Sequence, residues 1–366
     1  MTNESGTTRE CGRADRSAAL ARADIRGMQG YAPGEQPRDG TVVKLNTNEN
    51  PYPPSPHVLA AWSKAVGQGL RLYPDPVALE LRTTAAALFG LRPEQVIAGN
   101  GSDDLLTIGV RTFVDQGDDL AYVEPSYSLY PILARIQGAN PRPLRLEPDF
   151  QLPRELPGDL ARSKLLFVAR PNAPTGTSFP LSRMERLCRE FRGVVWIDEA
   201  YADFADDHCL DLVGRFDNLV VSRTLSKSYS LAGLRVGLAF AQCGLVAQML
   251  KVKDSYNLSW PAQHLATAAL RDQAGMLRNA QRIRATRERV VAALEQSGFR
   301  TLPSQTNFIF TEPPLPARVY LGELRKRQIL VRYFPGERTD KFVRITIGTE
   351  DEMERLLAAT AEILAN

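Results

Sequence analysis

Six short apolar runs, each bounded by turn residues and followed by a helix-like stretch, constrain this chain more than any other feature. They are Val96-Ile97-Ala98, Leu120-Ala121-Tyr122-Val123, Leu165-Leu166-Phe167-Val168, Val194-Val195-Trp196-Ile197, Leu219-Val220-Val221 and Val236-Gly237-Leu238-Ala239-Phe240. A strand with one wet face alternates apolar and polar residues. These runs do not, so both of their faces are covered. Covered strands alternating with helical patterns from about residue 56 to 255 predict an α/β fold with a mainly parallel sheet between helices.

The last hundred residues read differently. Leu277 to Gln296 is a long amphipathic pattern with Leu277, Ile283, Val290 and Leu294 on one stripe. Three further runs follow: Asn307 to Phe310, Ile329 to Val331 and Phe342 to Ile347. A final helical pattern then closes the chain, which suits a smaller α+β domain. The length of 366 residues divided by about 150 per domain also gives roughly two domains. Residues before Ile25 are polar, and their composition suggests no fixed structure. Leu45 to Pro54 cannot be regular helix because of Pro51, Pro53 and Pro54.

Composition excludes several classes. With 45 Lys and Arg against 42 Asp and Glu, a net charge of +3 leaves no electrostatic footprint for nucleic acid or an anionic membrane. The arginines of Leu277 to Gln296 read as a solvated helix face. Cys11, Cys188, Cys209 and Cys243 lie far apart without a C-x-x-C pair, which argues against a disulfide scaffold or structural zinc. The cluster Asp206-Asp207-His208-Cys209 reads as a solvated turn, and no metal is expected. No apolar stretch follows the first arginines as in a signal peptide, and Val236 to Leu250 is too short to span a bilayer. A cytoplasmic protein is the expectation.

Three segments carry chemistry. The first runs from Thr224-Leu225-Ser226-Lys227-Ser228-Tyr229 to Arg235 and follows a strand. Its hydroxyls at Thr224 and Ser226, with Arg235, could converge on one phosphate. Lys227 could form a Schiff base with a carbonyl, which needs a lysine whose charged form is disfavoured. A Ser/Thr-rich loop with a solvated lysine is the competing reading. In the second, Val194-Val195-Trp196-Ile197-Asp198-Glu199-Ala200-Tyr201, Asp198 ends an apolar strand at the carboxyl edge, where parallel α/β sheets bind ligands. A carboxylate there costs desolvation unless it meets a cation, such as a protonated pyridine nitrogen; otherwise it caps a helix. The third, Gly99-Asn100-Gly101-Ser102-Asp103, is a glycine-rich turn opening a helix, either an anion site or a plain N-cap.

Together these segments resemble the fold-type I aminotransferases that use pyridoxal 5'-phosphate, and among them the histidinol-phosphate branch. The resemblance runs from about Ile25 to Leu364. It is carried also by Pro171-Asn172-Ala173-Pro174-Thr175-Gly176, Leu45 to Pro51, Tyr31, and Val331-Arg332 with Val343-Arg344-Ile345-Thr346-Ile347-Gly348-Thr349. It implies an aspartate-aminotransferase-like fold. Residues 1–45 would form an arm with small-domain and dimer contacts, residues 46–258 a large cofactor domain, and residues 259–366 a small domain. Lys227 would bind the cofactor covalently and shuttle a proton, Asp198 would keep the ring nitrogen protonated, and Tyr201 would hydrogen-bond the phenolic oxygen. Tyr127 would stack on the ring. Gly101, Ser102, Asp103, Thr224, Ser226 and Arg235 would hold the phosphate, joined by Tyr73 from the partner of a homodimer. Asn50, Arg332, Arg344 and Tyr31 (the last from the other subunit's arm) would surround the substrate. For Arg344, alternation along Phe342 to Ile347 puts it on one face with Phe342 and Thr346; an exposed edge arginine is the plain alternative.

One position departs from the family pattern. Ala173 stands where the family has an asparagine whose amide contacts the phenolic oxygen. Asn172, one residue earlier, is the remaining candidate, and Arg170 is unusual so near the site. The implied reaction transfers an amino group between histidinol phosphate and 2-oxoglutarate. The same fold also suits a threonine-phosphate decarboxylase or an aromatic aminotransferase, and a non-catalytic cofactor-binding protein is the alternative from another class.

Overall fold

The computed structural model describes residues 16–37, 40–68 and 70–365. Residues 1–15, with Cys11, lie outside them, as does most of the segment expected to lack order. Within its remainder, Arg16–Leu20 forms a 3-10 turn and Ala23–Arg26 a short helix.

Strand β1 (Val43–Lys44) precedes the large sheet, whose strands are β2 (Val96–Gly99), β3 (Asp119–Glu124), β4 (Asn140–Arg145), β5 (Leu165–Ala169), β6 (Val194–Asp198), β7 (Leu219–Thr224) and β8 (Gly237–Ala241). Their spatial order is β2-β8-β7-β6-β5-β3-β4. All six apolar runs are strands, and the sheet is mainly parallel. Strand β8 is the exception, antiparallel to both β2 and β7. Strand β4 went unread because Pro141 and Pro143 lie within it; as an edge strand it tolerates their missing N–H groups. The strand β5 to β7 side chains are buried on both faces, in two separate apolar layers.

The second, four-stranded sheet contains β9 (Arg300–Thr301), β10 (Phe308–Glu312), β12 (Arg332–Tyr333) and β13 (Val343–Thr346), in the order β12-β13-β10-β9. Separately, β11 (Ile329–Leu330) pairs in parallel with β1, so the chain's first strand docks onto its last third. Val343, Ile345 and Ile347 enter this domain's core together with Val43 and Leu45.

The change of core does not fall at residue 258. Helix Trp260–Arg271 places Ala262, Leu265, Ala266, Ala269 and Leu270 in the core of the large sheet, and the second core begins with helix Gln273–Gln296. In the latter, Met276 rather than Leu277 joins the buried stripe of Ala280, Ile283, Val290 and Leu294, because 276, 280 and 283 keep the helical period and Leu277 lies about 100° away. Arg278, Arg282 and Arg289 lie exposed on the helix face as expected, and Arg287 alone of these arginines is buried, yet most of them have partners within the chain. Arg287 donates to the Thr306 carbonyl, Arg284 pairs with Asp206, Arg289 pairs with Glu350, and Arg282 lies 3.7 Å from the Tyr52 ring centroid. Val236 to Leu250 divides into β8 and a helix, and no helix among the described residues is long and apolar enough to cross a membrane.

Candidate active site

The carboxyl ends of β2, β5, β6 and β7 lie on one edge of the sheet, and a cavity of about 270 Å³ opens there against the second domain. The ends of β6, β7 and β2 each contribute a different chemical group.

At the end of β6, Asp198 is buried and accepts hydrogen bonds from Tyr130 Oη (3.0 Å) and Ser222 Oγ (3.2 Å). Ser222 is held for that task by Trp196 Nε1, which donates to the same oxygen at 2.9 Å. Burial pushes the Asp198 carboxyl up to about 6, although the bond from Tyr130 pulls it down. Such a carboxylate ionises at a higher pH than an ordinary one, and a cation beside it would favour the charged form.

Past the end of β7, the chain turns at Thr224 to Ser230 and presents Lys227 in the cavity, where Nζ donates to the Thr47 carbonyl at 3.4 Å. The loop is fixed from behind. Asn50 Nδ2 donates to the carbonyls of Lys227 (3.0 Å) and Ser228 (3.1 Å), and the Ser228 hydroxyl donates to Asp203. Asp203 also pairs with Arg223 at 2.6 Å; Arg223 pairs with Glu199 at 3.0 Å, and Glu199 lies 3.7 Å from Arg170. These buried charges alternate in sign, which is the condition for keeping them out of water.

At the end of β2, helix Ser102–Phe113 starts at the cavity without a side-chain cap, so its first N–H groups remain available to an anion. Gly101 has φ +86°, and a Cβ there would strike the Arg235 guanidinium. Arg235 reaches Ser226 Oγ (3.5 Å) and Asp103 Oδ2 (3.8 Å). The free N–H groups, Thr224, Ser226 and Arg235 thus form one anion cradle. Beside it Tyr127 donates to Asp103 at 3.1 Å, and burial raises its phenol above the ordinary tyrosine value.

The second domain supplies the other wall. Arg344, on the internal strand β13 rather than an edge, donates from Nη2 to the Asn46 carbonyl at 2.9 Å, while its buried Nε has no partner. Burial lowers its basicity. Arg332 donates to the carbonyls of Ala32 (3.1 Å) and Pro33 (3.4 Å). Among the described residues neither guanidinium has a carboxylate partner, which leaves two positive groups for an anion from outside.

The sequence model for "Aminotransferase class I and II" matches residues 40–359. The chain belongs to the aminotransferase class I and II family. Among curated relatives it is 47% identical to the histidinol-phosphate aminotransferase of Microcystis aeruginosa over 341 residues, 93% of this chain and 97% of that one. It is also 47% identical to the histidinol-phosphate aminotransferase of Geobacter sulfurreducens, covering 93% and 99%. A solved histidinol-phosphate aminotransferase from Sinorhizobium meliloti, in complex with pyridoxal-5'-phosphate, matches with a TM-score of 0.83 at 26% identity, covering 88% and 90%. The aspartate aminotransferase of Thermotoga maritima shares the fold, with a TM-score of 0.80 at 22% identity over 89% and 92%.

In this aminotransferase the cavity brings together Tyr31, Ser102, Asp103, Tyr127, Asp198, Tyr201, Thr224, Ser226, Lys227, Arg235, Arg332 and Arg344. Four expectations need correction. Asn172 does not face the cavity: its amide is consumed by the Pro125 carbonyl, Thr175 and Ser126, so it braces the loop. Ala173 does line the cavity and brings no polar group. Asn50 lies behind the lysine loop rather than among substrate contacts. Tyr31 enters the cavity of its own chain, its ring edge-on to Tyr127 at 5.8 Å, rather than requiring another subunit's arm. Tyr73 lies outside this cavity, 79% exposed and stacked on Tyr256, as its expected role toward a partner's site allows. The turn at residues 206–209 is only partly solvated: Asp206 and Asp207 pair with Arg284 and Arg170, and Cys209 is buried.

Sequence reasoning missed Tyr130, Ser222 and Asn48. Tyr130 and Ser222 sit in a helix and a buried strand, where periodicity assigns them to the core. Asn48 belongs to the segment Leu45 to Pro51 already singled out, but nothing in spacing separates it from Asn46 and Asn50.

Proposed function

We propose that this aminotransferase uses pyridoxal 5'-phosphate to move an amino group between histidinol phosphate and 2-oxoglutarate. In the biosynthetic direction of histidine formation, imidazole-acetol phosphate and glutamate are the reactants. The observation that carries the reading is the pair Arg344 and Arg332 on the same cavity as Lys227, with no carboxylate partner among the described residues. The relatives' names point to the same substrate.

The residues present fit the cofactor. The uncapped helix start at Ser102 and Asp103, with Thr224, Ser226 and Arg235, suits its phosphate; buried Asp198 suits a protonated ring nitrogen; Lys227 suits its aldehyde. When bound, the cofactor supplies a carbonyl for the amine and a ring that accepts electrons from the reacting carbon. Asp198, whose charge is costly in this buried place, would be stabilised by the ring proton and would hold it there. Tyr201 donates a hydrogen bond to the phenolic oxygen. Tyr127 would pack on the ring face, and the Lys227 amine would move the proton to and from the reacting carbon. Arg344 and Arg332 grip the substrate phosphate, and Tyr31 covers it. Lys227→Ala is expected to abolish turnover while leaving the protein folded; substantial residual transamination would refute the assignment.

A homodimer is part of the proposal, supported by the exposed Leu59, Trp62, Leu70, Leu72, Tyr73 and Leu79, an apolar concentration that a second copy would cover. Sedimentation at micromolar concentration tests it, a monomer refuting it. Phosphorylated small-molecule substrates, which do not cross bilayers unaided, fit a cytoplasmic enzyme.

A further inference from the structure

We infer that Asn48 is a positioning residue whose side-chain amide sets the direction in which Tyr201 donates and ties Tyr201 to the strand that carries Arg344. The inference rests on the proposed role of Tyr201 toward the cofactor's phenolic oxygen.

Asn48 is buried and has φ +56°, a left-handed conformation that asparagine tolerates better than most residues. Its surroundings fix it completely. The backbone N–H donates to Thr346 Oγ1 at 3.0 Å, the Thr346 hydroxyl donates to Asn48 Oδ1 at 3.1 Å, and the backbone carbonyl accepts from Asn307 Nδ2 at 3.0 Å. With Oδ1 committed to Thr346, Nδ2 is left to donate, and it donates to Tyr201 Oη at 2.9 Å.

A phenol carries one proton. Because Asn48 already donates to the Tyr201 oxygen, that proton points elsewhere. Tyr201 lines the cavity, and Ala173 on the same wall has no polar group. The Tyr201 proton is therefore directed to an acceptor in the cavity. Thr346 lies two residues beyond Arg344 on the same face of β13, and Arg344 itself donates to the Asn46 carbonyl. The segment 46–48 thus touches the anion-gripping arginine at one end and Tyr201 at the other.

The test reads the pH titration of the loaded protein's visible absorbance. A donor to an oxygen anion favours the deprotonated form, so loss of the donor raises the midpoint. Asn48→Gly removes the amide, and glycine adopts the positive φ without strain. It is expected to raise the midpoint by about one pH unit, a roughly tenfold change for one hydrogen bond. Asn48→Asp keeps the shape but replaces the donor with an acceptor that captures the Tyr201 proton, so its shift is at least as large. Tyr201→Phe raises the midpoint alone, and adding Asn48→Gly to it adds nothing. An unmoved midpoint in both Asn48 variants overturns the inference, as does full additivity with Tyr201→Phe; a structural role alone would not produce non-additivity. Wild-type protein that takes up no cofactor overturns the functional reading as well; loaded wild type with unaffected variants overturns only this inference.

Discussion

Asp198→Asn exchanges one oxygen for an amide group at a side chain that is 5% exposed, so its consequences come almost entirely from charge. In the cofactor-free protein, burial moves this carboxyl from an ordinary 3.8 to about 6. A shift of about two units corresponds to about 3 kcal/mol at roughly 1.4 kcal/mol per unit. Below pH 3.8 the group is neutral in folded and unfolded chains and contributes nothing. Between 3.8 and about 6 the unfolded chain ionises while the folded one does not, so the folded state progressively loses that 3 kcal/mol as pH rises. The asparagine variant cannot titrate there. The stability of the variant relative to wild type should therefore rise by about 2 kcal/mol between pH 4 and pH 7, with the cofactor removed. Urea unfolding of both proteins across that range measures it. A difference that stays flat with pH would refute the argument that burial dominates this carboxylate. Bound cofactor would reverse the effect, since its ring proton would supply a cation beside Asp198. The loaded variant should then lose far more rate than cofactor affinity.

Three further outcomes follow from the site. Arg344→Gln should raise the KM for the phosphorylated substrate by about 10- to 100-fold, the value of a charge-assisted hydrogen bond, with kcat much less affected; steady-state kinetics decide, and an unchanged KM would move the anion elsewhere. Gly101→Ala should weaken cofactor binding at least tenfold, since the new Cβ meets Arg235 and the backbone sits at φ +86°; equilibrium dialysis would show it. Glu199→Gln should destabilise the protein by about 3 kcal/mol, because Arg223 and Arg170 lose the carboxylate between them; denaturant midpoints read this, and a shift within error would mean Asp203 and Asp207 suffice.

What the sequence made legible follows from which interactions are local. Strands β5 to β7 are covered on both faces, so their apolar runs have no polar interruption and stand out. Lys227 and Asp198 sit just beyond or at the ends of such strands, where topology rather than distant contacts fixes their place. Strand β4 was hidden because an edge strand can carry prolines, and β1 because two residues paired with β11 leave no pattern. Helix Trp260–Arg271 looks like a neighbour of the helix after it, yet packs on the other domain. Chain adjacency does not decide which core an amphipathic face finds. Asn172 and Asn50 were misplaced for a related reason. Residue type announces a polar partner, but only the fold shows whether that partner is a ligand or a backbone carbonyl. Asn48 is the converse case, an ordinary asparagine in sequence that meets Tyr201 153 residues away and Thr346 298 residues away.

Amino-group transfer from a phosphorylated amine can be followed in a half-reaction. Histidinol phosphate is added to the loaded protein without any oxo-acid while the absorbance of the bound cofactor is followed. Stoichiometric conversion to pyridoxamine phosphate at low donor concentration is expected, with recovery of the original spectrum on adding 2-oxoglutarate. A spectrum indifferent to histidinol phosphate but responsive to phenylalanine, or to threonine phosphate with release of carbon dioxide, would contradict it.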